Sequence, residues 1–145
     1  MNILVINGPN LNLLGIREPE IYGTDTLEEL MMWLETNPVS SDHSFKFYQT
    51  NHEGEIIDTI QDERHWAKGI LINPGAFTHY SYAIRDAIVA VAIPTVEVHL
   101  SDIHNREEFR QISVISPVCI NQVSGLGKDS YIKGLKLLIN YLAAR

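Results

Sequence analysis

The runs Ile3-Leu4-Val5-Ile6 and Ile70-Leu71-Ile72 are apolar without a polar interruption. A strand with one face in water alternates apolar and polar residues. Short continuous runs bounded by turn residues point instead to strands buried on both faces, the condition of a parallel sheet covered by helices. Parallel neighbours need long crossover connections, usually helical, and the stretches between the runs carry that signal. After the first run, Asp25-Thr26-Leu27-Glu28 offers an acidic cap with a glutamate three residues on, followed by Leu27, Leu30, Met31 and Leu34 at helical spacing up to Asn37-Pro38. Ser44–Gln49 alternates Phe45 and Phe47 with Lys46 and Tyr48, a strand with one wetter face and hence a sheet edge. Asn51 is expected to cap a helix bearing Ile56, Ile57, Ile60 and Trp66. A helix over 81–91, a strand over Thr95–Val98, a helical turn over 105–110, a strand over 118–123 and a closing helix over 128–145 complete the series. In the closing helix, Ile132, Leu135, Leu138, Ile139 and Leu142 are expected to face inward.

Five β-α repeats predict an α/β, flavodoxin-like three-layer sandwich: a five-stranded parallel sheet in the order 2-1-3-4-5. The 145 residues fit one domain, long enough to bury about two thirds of the surface of the unfolded chain. In that order the topological crevice lies between strands 1 and 3, where ligands bind at the carboxyl ends. Those ends are polar: Asn7 to Asn10, Asn73, and Glu97-Val98-His99. The loop after strand 1 runs for about fifteen residues before helical spacing resumes, longer than a plain βα connection and typical of lids and binding loops.

Several partners and chemistries are disfavoured. A net charge of -7 argues against nucleic acid and anionic membranes, so a small anionic substrate would have to be met by local arginines. No stretch is apolar for the ~18 residues of a membrane span. The chain opens directly into strand-like sequence with no secretory pattern, and its single cysteine, Cys119, has no partner, so a cytoplasmic protein is expected. Gly8-Pro9-Asn10 lacks the dinucleotide fingerprint, and the segment ending Gly127-Lys128-Asp129 lacks both the first glycine of a phosphate loop and its Ser or Thr. His99 and His104, five apart, are a weak metal signal, and Lys46, Lys68 and Lys128 sit on an exposed face or at element ends rather than in apolar pockets.

Acid-base chemistry without cofactor or metal remains. Glu97 and His99, two apart on a strand, share a face, so the carboxylate can orient the imidazole as a general acid; the plain alternative is a buried ion pair that fixes the core. Tyr22 and Arg17 form a second couple. A free tyrosine, with pKa near 10, is ionised in about one molecule per thousand at neutral pH, so use of Tyr22 as a base needs cationic neighbours. The plain alternative is a loop tyrosine packing its ring beside a solvated arginine. Asn10 and Asn73 read equally as turn residues or ligand-binding groups. Considered singly, His79, Asp86, Ser101 and Arg110 read as surface, cap or helix-dipole residues.

The stretches INGPNLNLLGIREPEIYG, QTNHEGEIID, INPGAFTHYSYAIRDAI, VEVHLSDIHNREEFR and SGLGKDSY together resemble, in order and spacing, the motifs of the type II 3-dehydroquinate dehydratases. The resemblance spans nearly the whole chain. It implies a flavodoxin-like lyase without Schiff base, assembled as a dodecamer of trimers, that dehydrates 3-dehydroquinate to 3-dehydroshikimate in the shikimate or quinate routes. It further implies that Tyr22, beside Arg17, removes a proton to form an enolate. Asn10 would hold a water against the enolate oxygen, and His99, oriented by Glu97, would protonate the departing hydroxyl. Asn73, Leu100 and Ser101 would bind the carboxylate and neighbouring hydroxyl, and His79 and Arg110 the other hydroxyls. Asp86 would enter from a neighbouring subunit. Asp102 departs from the asparagine of the family's pattern, adding a negative charge near an anionic ligand unless it points outward or pairs with Arg106. A flavodoxin-like binding module without catalysis is the rival outside the enzymes, and Schiff-base dehydration the rival within them.

Overall fold

The computed structural model describes residues 1–145. Its five strands, β1 (Asn2–Asn7), β2 (Ser44–Gln49), β3 (Gly69–Asn73), β4 (Thr95–Val98) and β5 (Asn121–Val123), form one parallel sheet ordered β2-β1-β3-β4-β5. The expected order and the edge position of β2 are both found. Successive side chains of a strand point to opposite faces, so the run Ile3 to Ile6 divides between two cores. Ile3 and Val5 join Leu71, Val96 and Val98 under α2 (Leu27–Thr36) and α5 (Asp129–Ala143). Leu4 and Ile6 join Ile70 and Ile72 under α3 (Glu53–Asp62) and α4 (Tyr82–Val91). The uninterrupted apolar runs are therefore two interleaved faces.

Helix α5 lies unusually close to the sheet. A Cβ at Gly134 would stand 2.5 Å from Val98 Cγ1 and 3.0 Å from Leu71 Cδ1, so glycine there sets the approach distance. On the inward side of α5, Leu135 and Leu138 are fully buried while Ile132, Ile139 and Leu142 are half-buried against the core. Tyr131, absent from the sequence expectation, is fully buried beside them.

Four local expectations are corrected. The cap of α2 is Thr26 rather than Asp25: its Oγ accepts from the Glu29 amide at 3.1 Å and donates to the Glu29 carboxylate at 3.0 Å. Asn51 does not cap α3, whose N-cap is His52; its side-chain oxygen accepts the Asn10 amide at 3.0 Å. Strand β5 is three residues long because Pro117 falls in a 3-10 turn, Ser116–Val118, that occupies the start of the expected strand. The turn expected over 105–110 is two, Ile103–Asn105 and Glu108–Arg110. The loop after β1 also has structure of its own: a 3-10 turn, Leu11–Leu13, and one helical turn, α1 (Pro19–Tyr22).

Candidate active site

The carboxyl ends of β1 and β3 meet with Asn7 opposite Asn73 in the register. A Cβ on the next residue, Gly8, would come within 2.7 Å of the Pro74 carbonyl carbon and oxygen. Glycine thus lets the two strand ends close, and the chain opens a cavity beyond them. Asn10, Arg17, Tyr22, Asn73, His79, His99, Leu100, Ser101 and Arg110 all line it. Glu97 stands behind His99, and Asp86 lies elsewhere, exposed on α4.

Asn10 adopts a left-handed backbone conformation with φ 68°, which asparagine tolerates better than most residues. Its amide is tied to Asn51, itself held by Gln49 Nε2 at 3.1 Å. Further along the loop, Glu18 (φ 38°) starts the helical turn that ends at Tyr22. The Arg17 guanidinium lies over the Tyr22 ring, 4.3 Å from its centroid, so the two side chains are a packed pair. A second guanidinium, absent from the expected set, completes the arrangement. Arg106 Nη1 donates to the Tyr22 hydroxyl oxygen at 2.5 Å, and its carbon lies 5.4 Å from the ring centroid. Arg106 also faces Glu18 and Glu107, each at 3.8 Å. Its only sequence signal is its place in the stretch NREEFR, where it offers a partner for Asp102.

Asp102 takes no part in that contact. Its carboxylate accepts from the His104 amide at 3.1 Å and from Asn105 Nδ2 at 2.5 Å, capping the turn outside the cavity. It forms no ion pair with Arg106, whose carboxylate neighbours are Glu18 and Glu107.

On the opposite wall, Glu97 is fully buried and His99 nearly so. Glu97 Oε2 takes His99 Nε2 at 2.5 Å, the Thr78 hydroxyl at 2.5 Å and Gln122 Nε2 at 3.1 Å, and Ser113 Oγ donates to Oε1 at 2.9 Å. Burial by itself would raise the Glu97 carboxyl, but the His99 bond and charge, with the bonds from Thr78 and Gln122, outweigh it and hold the group below its ordinary value. A charged carboxylate facing Nε2 commits the Nε2 proton, which leaves Nδ1 as the nitrogen free to exchange a proton.

His79 Nδ1 donates to the Ile112 carbonyl at 2.7 Å, and its ring meets Phe109 edge-on at 5.9 Å. Burial pulls its pKa below the usual histidine value against the opposing carbonyl bond, so the ring favours its neutral form. Arg110 Nε lies 2.8 Å from Glu107 Oε2 without the alignment of a hydrogen bond, so that N–H is buried without an acceptor. The carbonyls of Leu100 and Ser101 accept from Gly127 and Gly125, while their own amides have no backbone acceptor. The cavity thus combines arginine side chains and free amides, a surface suited to oxygen-rich anions. No lysine lines it.

A profile of the family described as Dehydroquinase class II matches residues 1–139. The 3-dehydroquinate dehydratase of Carboxydothermus hydrogenoformans is 57% identical over 145 residues, spanning 100% of this chain and 94% of that protein. That of Trichodesmium erythraeum is 54% identical over 144 residues, spanning 99% and 96%. Among solved structures, the type II dehydroquinase of Butyrivibrio crossotus superposes with a TM-score of 0.91 at 51% identity, covering 99% of this chain and 97% of that one.

Proposed function

The chain belongs to the class II dehydroquinase family, and from that premise we propose that it is a hydro-lyase converting 3-dehydroquinate to 3-dehydroshikimate through an enolate. The observation that carries this reading is the pairing of two opposed devices across one cavity. One is a tyrosine whose hydroxyl accepts from Arg106 and whose ring lies under Arg17; the other is a histidine backed by a buried, charged glutamate.

In the proposed sequence Tyr22, as phenolate between the two guanidinium groups, takes a proton from the carbon beside the substrate ketone. The C–H electron pair passes into the enolate, whose oxygen is met by a water held at Asn10. The enolate electrons then reform the ketone and the new C=C bond as the C–O bond breaks. His99 delivers the Nδ1 proton to the departing oxygen, releasing water. A proton must afterwards pass from Tyr22 back to His99 to reset the enzyme. Asn73 and the free amides of Leu100 and Ser101, with the Ser101 hydroxyl, take the carboxylate and its neighbouring hydroxyl. His79 and Arg110 take the remaining hydroxyls. The absence of lysine from the cavity lining favours the enolate over a Schiff base.

Assembly belongs to the same proposal. On α4, Tyr82, Asp86 and Val89 follow a helical i, i+4, i+7 spacing, and Tyr82 and Val89 are 62% and 57% exposed. Phe109 and Ile112 at the cavity rim are 60% and 68% exposed. A carboxylate set in an apolar stripe suits burial against another copy of the chain. We therefore propose trimers, gathered into a dodecamer, in which Asp86 reaches a neighbour's cavity. The proposed setting is the cytoplasm; no helix is long and apolar enough to cross a membrane.

The deciding experiment adds 3-dehydroquinate to purified protein and follows the ultraviolet absorbance of the enone. Appearance of 3-dehydroshikimate is expected, and its absence overturns the reading. Borohydride added with substrate should leave activity intact; inactivation would replace the enolate with lysine chemistry.

A further inference from the structure

Tyr131 heads the fully buried side chains by volume, and no step above uses its hydroxyl. Its position on α5 brings that hydroxyl between the two asparagines that face each other at the carboxyl ends of β1 and β3. Tyr131 Oη donates to Asn7 Oδ1 at 2.6 Å and accepts from Asn73 Nδ2 at 2.9 Å. Asn7 is held in turn by its Nδ2 contact with Met31 Sδ at 3.4 Å.

These contacts determine which end of the Asn73 amide meets a ligand. A primary amide has one acceptor oxygen and two N–H donors. The oxygen accepts from the Gly75 amide at 3.2 Å, and one N–H goes to Tyr131. The second N–H remains for the cavity that Asn73 lines. Flipping the amide would set its NH2 group against the Gly75 N–H and its oxygen against a phenol whose only proton is committed to Asn7. Both hydrogen bonds would be lost together. Burial also pushes the Tyr131 hydroxyl well above the ordinary tyrosine value, so its proton stays in place.

We propose that Tyr131 is a positioning residue for substrate binding: with Gly75 it locks the Asn73 amide so that an N–H, rather than a carbonyl oxygen, faces the substrate's anionic group. The claim rests on the reading that the cavity binds 3-dehydroquinate. An unlocked amide would present its oxygen part of the time and repel a carboxylate, so the loss belongs to binding more than to the chemical step.

The test is a double-mutant cycle on the intact enzyme, comparing wild type, Tyr131→Phe, Asn73→Ala and the double variant. It reads KM and kcat for 3-dehydroquinate, the Kd of 3-dehydroshikimate, and thermal unfolding as a check on folding. Tyr131→Phe is expected to raise KM and Kd about tenfold, the worth of one hydrogen bond to a charged group, with kcat less affected. On the Asn73→Ala background it should add nothing, because there is no amide left to orient. A purely structural role would give additive losses, and additivity in an active wild type overturns the proposal while leaving the function standing. A wild type that neither binds nor converts 3-dehydroquinate overturns both. Should Tyr131→Phe fail to fold, Asn7→Ala, which removes the acceptor of the Tyr131 proton, takes its place in the cycle. The same non-additivity is then expected, and additivity again overturns the proposal.

Discussion

Arg106 donates a hydrogen bond of 2.5 Å to the phenolic oxygen of Tyr22 across 84 residues of sequence. Arg17 covers the ring of the same tyrosine from 4.3 Å. A negative charge on that oxygen is met by an N–H already in place, with no reorganisation needed as the charge forms. The short turn Pro19–Tyr22 therefore carries the tyrosine into a cationic cradle built from two distant segments.

Replacement of Tyr22 by phenylalanine is expected to reduce turnover by roughly a thousandfold or more, the upper range for loss of a general base. Affinity for 3-dehydroshikimate, measured by calorimetry, should be largely kept. A variant with near-normal rate would remove Tyr22 from the reaction.

Arg106→Gln removes the charge but keeps a side chain that can donate. A fall in kcat of about a hundredfold is expected, with a smaller change in KM, as for loss of one preorganised donor to a developing charge. A rise in KM alone would make Arg106 a substrate-binding residue.

His99→Ala should separate the two halves of the reaction. In D2O the variant is expected to exchange the substrate's α-proton, followed by NMR, while elimination slows by roughly a hundredfold or more. Loss of both together would mean that His99 is also needed to hold the substrate.

The depressed Glu97 carboxyl has a consequence for stability. A carboxyl below its unfolded value, about 4.3 for glutamate, contributes stability that is present above that pH and lost as the pH falls through the folded value. Thermal unfolding between pH 6 and about 2 should show a steeper acid decline in wild type than in Glu97→Gln. Equal slopes would mean that Glu97 is not held ionised by its neighbours.

Burial, with the nearby charge of Glu97, pushes the Cys119 thiol up to about 12. Because the thiolate is the reactive form, native protein at neutral pH should resist iodoacetamide and react once unfolded. Mass spectrometry of the two samples checks this; rapid native labelling would show that the site opens readily.

Much of the candidate site was legible because its residues sit where strands end. Asn10 follows an apolar run and Glu97 lies on β4 two residues before His99, which brings them to the crevice, while Arg17 and Tyr22 are singled out by the family resemblance rather than by spacing. Asn51 has the sequence surroundings of a cap, an asparagine before an acidic helical stretch, but its oxygen is spent on Asn10. Val118 to Val123 is largely apolar and has the look of a strand throughout, but a 3-10 turn containing Pro117 takes its first residue and the strand begins only at Asn121.

By itself the sequence determined the order of strands and helices and the two-sided burial of the sheet, since these follow from periodicity and from residues close in the chain. Tertiary structure alone decided that Arg106 meets Tyr22, that Asp102 caps its own turn instead of pairing with Arg106, and that Tyr131 spans Asn7 and Asn73. Two of these, the contacts of Arg106 and Tyr131, join segments far apart in sequence. The bonds of Asp102 stay within its own loop. None leaves a periodic trace, and their geometry exists only once the helices have docked on the sheet.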